Sequence, residues 1–228
     1  MLEPAEQKVL LALTTCRKYQ YAPGDQVAHK NGFQTQRSEA VYETWYQTWE
    51  QKFQDKVDFK FFVGQGPEQV NLPNLVELDA PDGYYDLPAK VKSIFKWAVD
   101  RNYTHVVKID DDVVMRISNF LKFFQPVDYC GYELESNTSK WASGAAYVIS
   151  RRAMQLIVDT PWDPTWNSAE DQATGRILAA NGIPLVHDPR YLCCSCPECF
   201  RRYGLENLIT IHTTKPEMMY ELHTKLAG

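Results

Sequence analysis

Short apolar runs, several of them rich in β-branched or aromatic residues, alternate along the chain with stretches whose apolar residues recur at helical spacing. That alternation leaves few folds open. Lys8 to Leu13 reads as a buried strand, and Val57 to Val63 and Leu75 to Leu78 as two more, bounded by Gly-, Pro- and Asn-rich stretches. Between the first two, Val41, Trp45 and Trp49 recur every fourth residue and predict a helix from about Arg37 to Phe53. A second helix is predicted to open at Leu87-Pro88, with Val91, Ile94, Phe95 and Ala98 as its apolar face, and to lead into a strand over Thr104 to Ile109. The second half predicts helices near Ile117 to Phe124 and starting near Arg151 and Ala169, and strands over Ala145 to Ile149, Ile183 to Val186 and Leu208 to Ile211. Ser168, with Asp171 three residues on, resembles a helix start, and Thr214 to Glu217 has capping-box spacing with an early Pro216. Strands alternating with helices predict an α/β/α sandwich of Rossmann-like type with a mostly parallel central sheet. With 228 residues, 44% of them hydrophobic, and no repeat or linker, one domain over residues 1–228 is expected.

A formal charge of -5 gives no electrostatic footprint for nucleic acid, and no block of lysine or arginine suggests a membrane surface. Val9 to Leu13 is too short to be a signal-peptide core, and no later apolar run reaches the roughly 18 residues of a membrane span. The expectation is a soluble chain without an integral membrane segment, cytoplasmic if complete. Four of the six cysteines crowd into Cys193, Cys194, Cys196 and Cys199, unlike the dispersed framework of a disulfide-stapled secreted domain. Four thiols within seven residues can bind zinc, but structural zinc sites draw ligand pairs from separated segments, so disulfides or free thiols are expected instead.

The chemistry concentrates at Asp110-Asp111-Asp112, where the hydrophobic run His105 to Ile109 ends and Val113-Val114-Met115 resumes. Open α/β sheets place their ligands at this end of a strand. With a period of two, Asp110 and Asp112 are expected on one side and Asp111 on the other. Three adjacent carboxylates repel one another and call for a cation, and a hard ion such as Mn²⁺ or Mg²⁺ bridging to phosphate oxygens is the natural partner. A solvated acidic loop is the plainer alternative, against which the apolar flanks count.

Six blocks then resemble, in order, the β-1,3-galactosyltransferase and N-acetylglucosaminyltransferase family that includes the Fringe-type enzymes. They are Gln36 to Trp45, Tyr84 to Lys90, Lys108 to Val113, Ser143 to Ser150, Glu170 to Gly175, and Ile211 to Met219. The second is similar to the family's Tyr-x-Asn-Leu-Thr-x-Lys segment, the third to its Asp-x-Asp strand end, the fifth to its Glu-Asp-Val-x-x-Gly helix. The fourth keeps Gly144 of a glycine turn, followed here by Ala145 and Ala146.

The resemblance implies a GT-A fold and an inverting, metal-dependent transfer of a hexose, galactose first, from a UDP-sugar to a hydroxyl of a glycan acceptor. Carried over by position, Asp112 would bind the metal, Asp110 the metal or the donor, and His212 would complete the coordination. Lys90 would offset the donor's charge, and Asp171 would be the catalytic base. Thr14, Arg37, Asp111 and Gly144 would belong to the nucleotide-sugar pocket, with Trp141 stacking on the sugar. The family's usual amino-terminal anchor is not in this sequence; were one removed, the Golgi lumen would be the expected compartment.

Each of these has a bland counterpart. Glu170 and Asp171 suit a helix start as acids alone, His212 suits ordinary packing, with His187 as the rival ligand, and Lys90 lies on a helix rich in exposed lysines. Trp162 and Trp166 are candidate walls of an acceptor cleft, and Tyr84 and Tyr85 equally suit a core. A metal-dependent phosphatase or nucleotidyl hydrolase is the first alternative, but after the first strand it would want a nucleophilic Asp where Thr14-Thr15-Cys16 stands. A non-catalytic carbohydrate-binding module is the second, and it has no need of Asp112, His212 and Asp171 together. A retaining transferase would not require a base at Asp171.

Overall fold

The computed structural model describes residues 7–17, 34–161, 169–213 and 215–227. Trp162, Trp166, Ser168 and Thr214, and what was expected of them, lie outside the described residues. The strands are β1 (Val9–Thr14), β2 (Asp58–Gln65), β3 (Leu75–Pro81), β4 (His105–Asp110), β5 (Val113–Met115), β6 (Tyr129–Glu135), β7 (Lys140–Ser150), β8 (Val186–His187), β9 (Tyr191–Leu192) and β10 (Thr210–His212). Seven form a sheet in the order β3-β2-β1-β4-β7-β6-β8, and β5-β10-β9 form a smaller one. Strands β3, β2, β1 and β4 run parallel, β7 is antiparallel to both β4 and β6, and β8 is parallel to β6. One reversed strand in an otherwise parallel set is the mostly parallel sheet that the alternation predicts.

The helices are α1 (Gln34–Val41), continued through a π-turn at Tyr42–Tyr46 into α2 (Gln47–Lys52), then α3 (Leu87–Asp100), α4 (Ile117–Phe123), α5 (Arg151–Asp159), α6 (Glu170–Ala180), α7 (Pro197–Tyr203) and α8 (Pro216–Ala227). They cover both faces of the sheet, as parallel strands require. The period of two in β1 divides the core: Leu10 and Ala12 pack with Val91, Ile94 and Phe95 of α3, Met154 of α5 and Leu178 of α6. Leu11 and Leu13 face the other way, onto Val41, Trp45 and Trp49, Met219 and Leu222 of α8, and the small sheet. Both faces are apolar because neither reaches water.

Three strands had no clear sequence signal, among them the two-residue β9. In β6, Gly131, Glu133 and Glu135 break the apolar pattern, and β5 continues the run of β4 across the acidic turn. Of the strand expected over Ile183 to Val186 only Val186 is in a strand, β8; the one over Leu208 to Ile211 starts later, at Thr210, and the one over Ala145 to Ile149 starts earlier, at Lys140.

Two local devices aim the chain at the acidic turn. The single expected helix from Arg37 to Phe53 is interrupted at Thr44 (φ -112°, ψ -105°), whose Oγ1 donates to the Ala40 carbonyl at 2.5 Å. A polar side chain that bonds back into the preceding turn loosens the helical ladder there. The interruption turns Trp45 inward, where its indole Nε1 donates to the Val113 carbonyl at 2.9 Å. The second device is glycine at the contact of α6 with β7. A Cβ on Gly175 would lie 2.5 Å from Cβ of Trp141 and 2.9 Å from the Lys140 carbonyl, and one on Gly144 would lie 3.2 Å from Glu170 Oε1. Gly175→Ala is therefore expected to cost about 1–3 kcal/mol by overpacking, measured by urea unfolding. A cost below about 0.5 kcal/mol would mean that α6 can retreat from β7 freely.

Candidate active site

In the paired register, Thr14 of β1 stands beside Asp110 of β4, so the carboxyl ends of the two central strands lie side by side. A cleft of about 140 Å³ opens there. Thr14, Thr15, Arg37, Lys90 and all three aspartates line it, with Asp82 and Tyr84 on the loop before α3. Tyr84 and Tyr85 are 46% and 50% exposed, so they are not core residues.

Each aspartate has its own partner. Asp111 is buried and accepts from Thr15 Oγ1 at 2.7 Å. Burial, helped by the neighbouring Asp112 charge, pushes its carboxyl up to about 7 against that hydrogen bond. Asp110 turns to Lys108, whose Nζ lies 2.6 Å from Oδ1. Asp112 Oδ2 meets Arg37 Nη1 at 2.9 Å and His212 Nε2 at 3.2 Å. Burial alone would raise the Asp112 carboxyl, but the His212 hydrogen bond and charge, with Arg37, hold it below the usual range. The same bond outweighs burial at His212 and raises the imidazole to about 8. Its Nδ1 lies 3.2 Å from the Cys193 carbonyl, which leaves Nε2 facing the acid.

The main chain of the acidic turn is also fixed. Backbone N–H and Oγ1 of Thr213 both donate to the Asp112 carbonyl at 2.8 Å, while Trp45 holds the next carbonyl. Strand β10 thus brings His212 to Asp112 from about a hundred residues away.

Asp110 and Asp112, expected on one side and, with His212, around an ion, turn instead to different partners. Among the described residues those three do not bring ligand atoms within 4.8 Å of one another; Asp112 and His212 do so as a pair. The pair fits a divalent ion nonetheless. Oδ1 of Asp112 is buried with no hydrogen-bond partner, and Mg²⁺-like ions are typically held by one or two protein ligands plus substrate phosphates and water. An ion on His212 Nε2 would take the place of the proton now shared with Asp112. Thr14 Oγ1, in the cleft wall, is also buried without a partner.

The other expected residues separate into those at the cleft and those away from it. Lys90 is buried rather than solvated: Nζ contacts Asp82 Oδ1 at 2.7 Å and donates to the Thr15 carbonyl at 2.9 Å. Asp171, at the start of α6, accepts from the Gly144 N–H at 3.0 Å and the Gln172 N–H at 2.8 Å. Trp141 is only 8% exposed, packs under Gly175 and does not line the cleft. His187 lies on edge strand β8, accepts from the Glu133 N–H at 3.0 Å and is remote from the acidic turn.

Lys108 was not singled out from sequence. It is fully buried, and its Nζ joins Asp110 Oδ1 at 2.6 Å, the Gly144 carbonyl at 2.5 Å and Glu170 Oε1 at 2.9 Å. One lysine thereby ties the acidic end of β4 to Gly144 of β7 and to the helix that carries Asp171. The available signal was a lone charge inside the apolar run His105 to Ile109.

Tyr147 donates to Glu170 Oε2 at 2.9 Å. A single ammonium between two carboxylates cannot satisfy both, and burial pushes Glu170 up to about 7, with Lys108 opposing. A folded-state value above the ordinary carboxyl value means that the folded chain keeps a proton the unfolded chain has released. The Glu170 contribution to stability is therefore expected to fall as pH rises from about 4.5 towards 7. Urea unfolding of wild type and Glu170→Gln across that range checks this: the wild type should lose stability relative to the variant as pH rises, and a constant difference would contradict it.

Comparison with known proteins agrees with this geometry. The family model described as galactosyltransferase matches residues 36–129, from α1 through the acidic turn to the start of β6. A UDP-GalNAc:β-1,3-N-acetylgalactosaminyltransferase 2 from Xenopus laevis is 23% identical over 150 residues, covering 55% of this chain and 31% of the relative. The chain spans about a third of that relative's length. Among solved structures, a glycosyltransferase involved in glycosylation of the PBCV-1 major capsid superposes with a TM-score of 0.55 at 13% identity, over 96% of this chain and 99% of the other. That likeness shows the fold, an α/β fold of GT-A type. Among the described residues no helix is long and apolar enough to cross a membrane. Over residues 36–129 the chain is thus similar to the galactosyltransferase family, and more distantly to a β-1,3-N-acetylgalactosaminyltransferase.

Proposed function

We propose that this chain is an inverting, divalent-metal-assisted glycosyltransferase that moves a hexose, with galactose as the lead, from a UDP-sugar to a hydroxyl of a glycan acceptor, and that its residues form one catalytic domain. The observation that carries this reading is the cleft at the ends of β1 and β4, where the unsatisfied Oδ1 of Asp112 stands next to His212.

Asp112 and His212 would hold the ion, Mn²⁺ or Mg²⁺, which when bound supplies charge stabilisation to the departing diphosphate. Arg37 lies against Asp112 and brings a second positive group to that side. Lys90, neutralised by Asp82, keeps the Thr15 carbonyl and the cleft floor in place. Thr14 offers a free hydroxyl to the nucleotide or its sugar.

Asp171 works on the opposite side, where an acceptor hydroxyl must lose its proton as it attacks the anomeric carbon. Its two backbone hydrogen bonds fix the carboxylate plane and leave lone pairs for that proton. Lys108, through Asp110 and the Gly144 carbonyl, sets the spacing between the two sides.

Calorimetric titration with UDP tests the donor half of the reading. Binding is expected to strengthen when Mn²⁺ is present and to lose that gain in Asp112→Ala; equal affinity with and without the metal in the wild type would rule the ion out. NMR of the product's anomeric carbon tests the stereochemistry, since retention of configuration would remove the base role from Asp171.

A further inference from the structure

We propose that Cys194, Cys196 and Cys199 form a thiolate site for a soft divalent ion of the zinc class, and that the ion pins the segment that orients His212. Spacing alone argues against this, because all the cysteines come from one short stretch. The fold changes the argument. Sγ of Cys194 lies 2.9 Å from that of Cys199 and 3.5 Å from that of Cys196, and all three sulfurs fall within 4.8 Å of one another. Among the described residues no other trio of His, Cys, Asp and Glu comes so close.

Zn–S bonds of about 2.3 Å in a tetrahedron put sulfurs about 3.8 Å apart, so small side-chain rotations would seat an ion among these three. A disulfide, with its bond of about 2.05 Å, can join only two of them and leaves the third without a role. Neutral thiols gain little from one another, being weak donors and weak acceptors. Cys196 stands just before α7 and Cys199 in its first turn, so the chain brings their side chains to one end of that helix. All three cysteines are half-buried, with Cys194 and Cys199 resting on the core beside Phe200 and Tyr203. Three protein ligands leave a fourth tetrahedral position for water.

The ion would clamp the end of β9 to the start of α7. Strand β9 pairs with β10, which ends at His212, and the neighbouring Cys193 carbonyl holds His212 Nδ1. Fixing this segment fixes which imidazole nitrogen faces Asp112, the kind of outer support that metal-binding histidines commonly have.

The test uses the intact chain, purified under reducing conditions and dialysed before its metal content is measured. About one zinc per chain is expected to stay bound. Replacement by Co²⁺ should give the near-ultraviolet sulfur-to-metal charge-transfer band, which the oxygen and nitrogen ligands at Asp112 and His212 cannot produce. Cys196→Ser and Cys199→Ser should each reduce that band to background. Folded, reduced wild type with no retained zinc and no such cobalt band would overturn the proposal, and so would a Cys194–Cys199 disulfide in the mass of protein purified without reductant. The wild-type measurements decide the matter even if the serine variants fail to fold.

Discussion

Asp171→Asn is expected to lower turnover by about 10²- to 10⁴-fold while UDP affinity changes by less than about 1.4 kcal/mol, a factor of ten. Asparagine keeps the size of the side chain and one oxygen to accept the Gly144 N–H, so the contact of α6 with β7 should hold, while its NH2 group faces the Gln172 N–H and that hydrogen bond is lost. It also loses the capacity to take a proton, and only that loss bears on turnover selectively. The split matters more than the loss, because a residue that only started a helix would show a stability change and no selective effect on turnover. Single-turnover kinetics on the variant, beside calorimetric UDP binding, provides both numbers. Turnover within about tenfold of wild type would remove Asp171 from the chemistry.

Lys108→Met is expected to destabilise the fold by about 3–5 kcal/mol, the usual consequence of removing one partner from a buried ion pair. The lysine has no exposed surface, and two carboxylates, Asp110 and Glu170, depend on it. Methionine fills similar volume, so little of the loss would come from a cavity. Combining it with Glu170→Gln should recover part of the stability, because one of the stranded charges is then gone, and the non-additivity of the double variant measures the coupling. Urea unfolding of the two single variants and the pair is the check. A cost near zero for Lys108→Met would mean that water reaches the network and that Lys108 sets nothing in place.

The alternation of apolar runs with helical periods made the α/β sandwich legible from sequence, since β1, β2, β3, β4, α3, α4, α5 and α6 all sit where a local pattern put them. Strand β6 was hidden because its polar residues and Gly131 interrupt any period. The break at Thr44 was hidden because it depends on a hydroxyl choosing the Ala40 carbonyl, which propensity does not register. At the cleft, residue types pointed to the acidic turn, but partners could not be assigned. Asp110 and Asp112 part company because Lys108 claims one and the Arg37–His212 pair the other, and those partners come from separate parts of the chain. Lys90 shows the same gap: on a helix with several exposed lysines, only tertiary contact with Asp82 distinguishes it as buried. Trp141 gave an aromatic signal that the packing of Gly175 turns inward.

The most direct measurement is UDP release from a panel of UDP-sugars, with glycan acceptors and with or without Mn²⁺, comparing wild type with Asp112→Ala. A nucleotide-sugar transferase working at this cleft should release UDP from one preferred donor, in a manganese-dependent manner, and Asp112→Ala should reduce that release by about 10²- to 10³-fold. Release unaffected by manganese and equal in the two proteins would contradict the role given to the acidic turn, and no release from any donor by folded protein would contradict the transferase function itself.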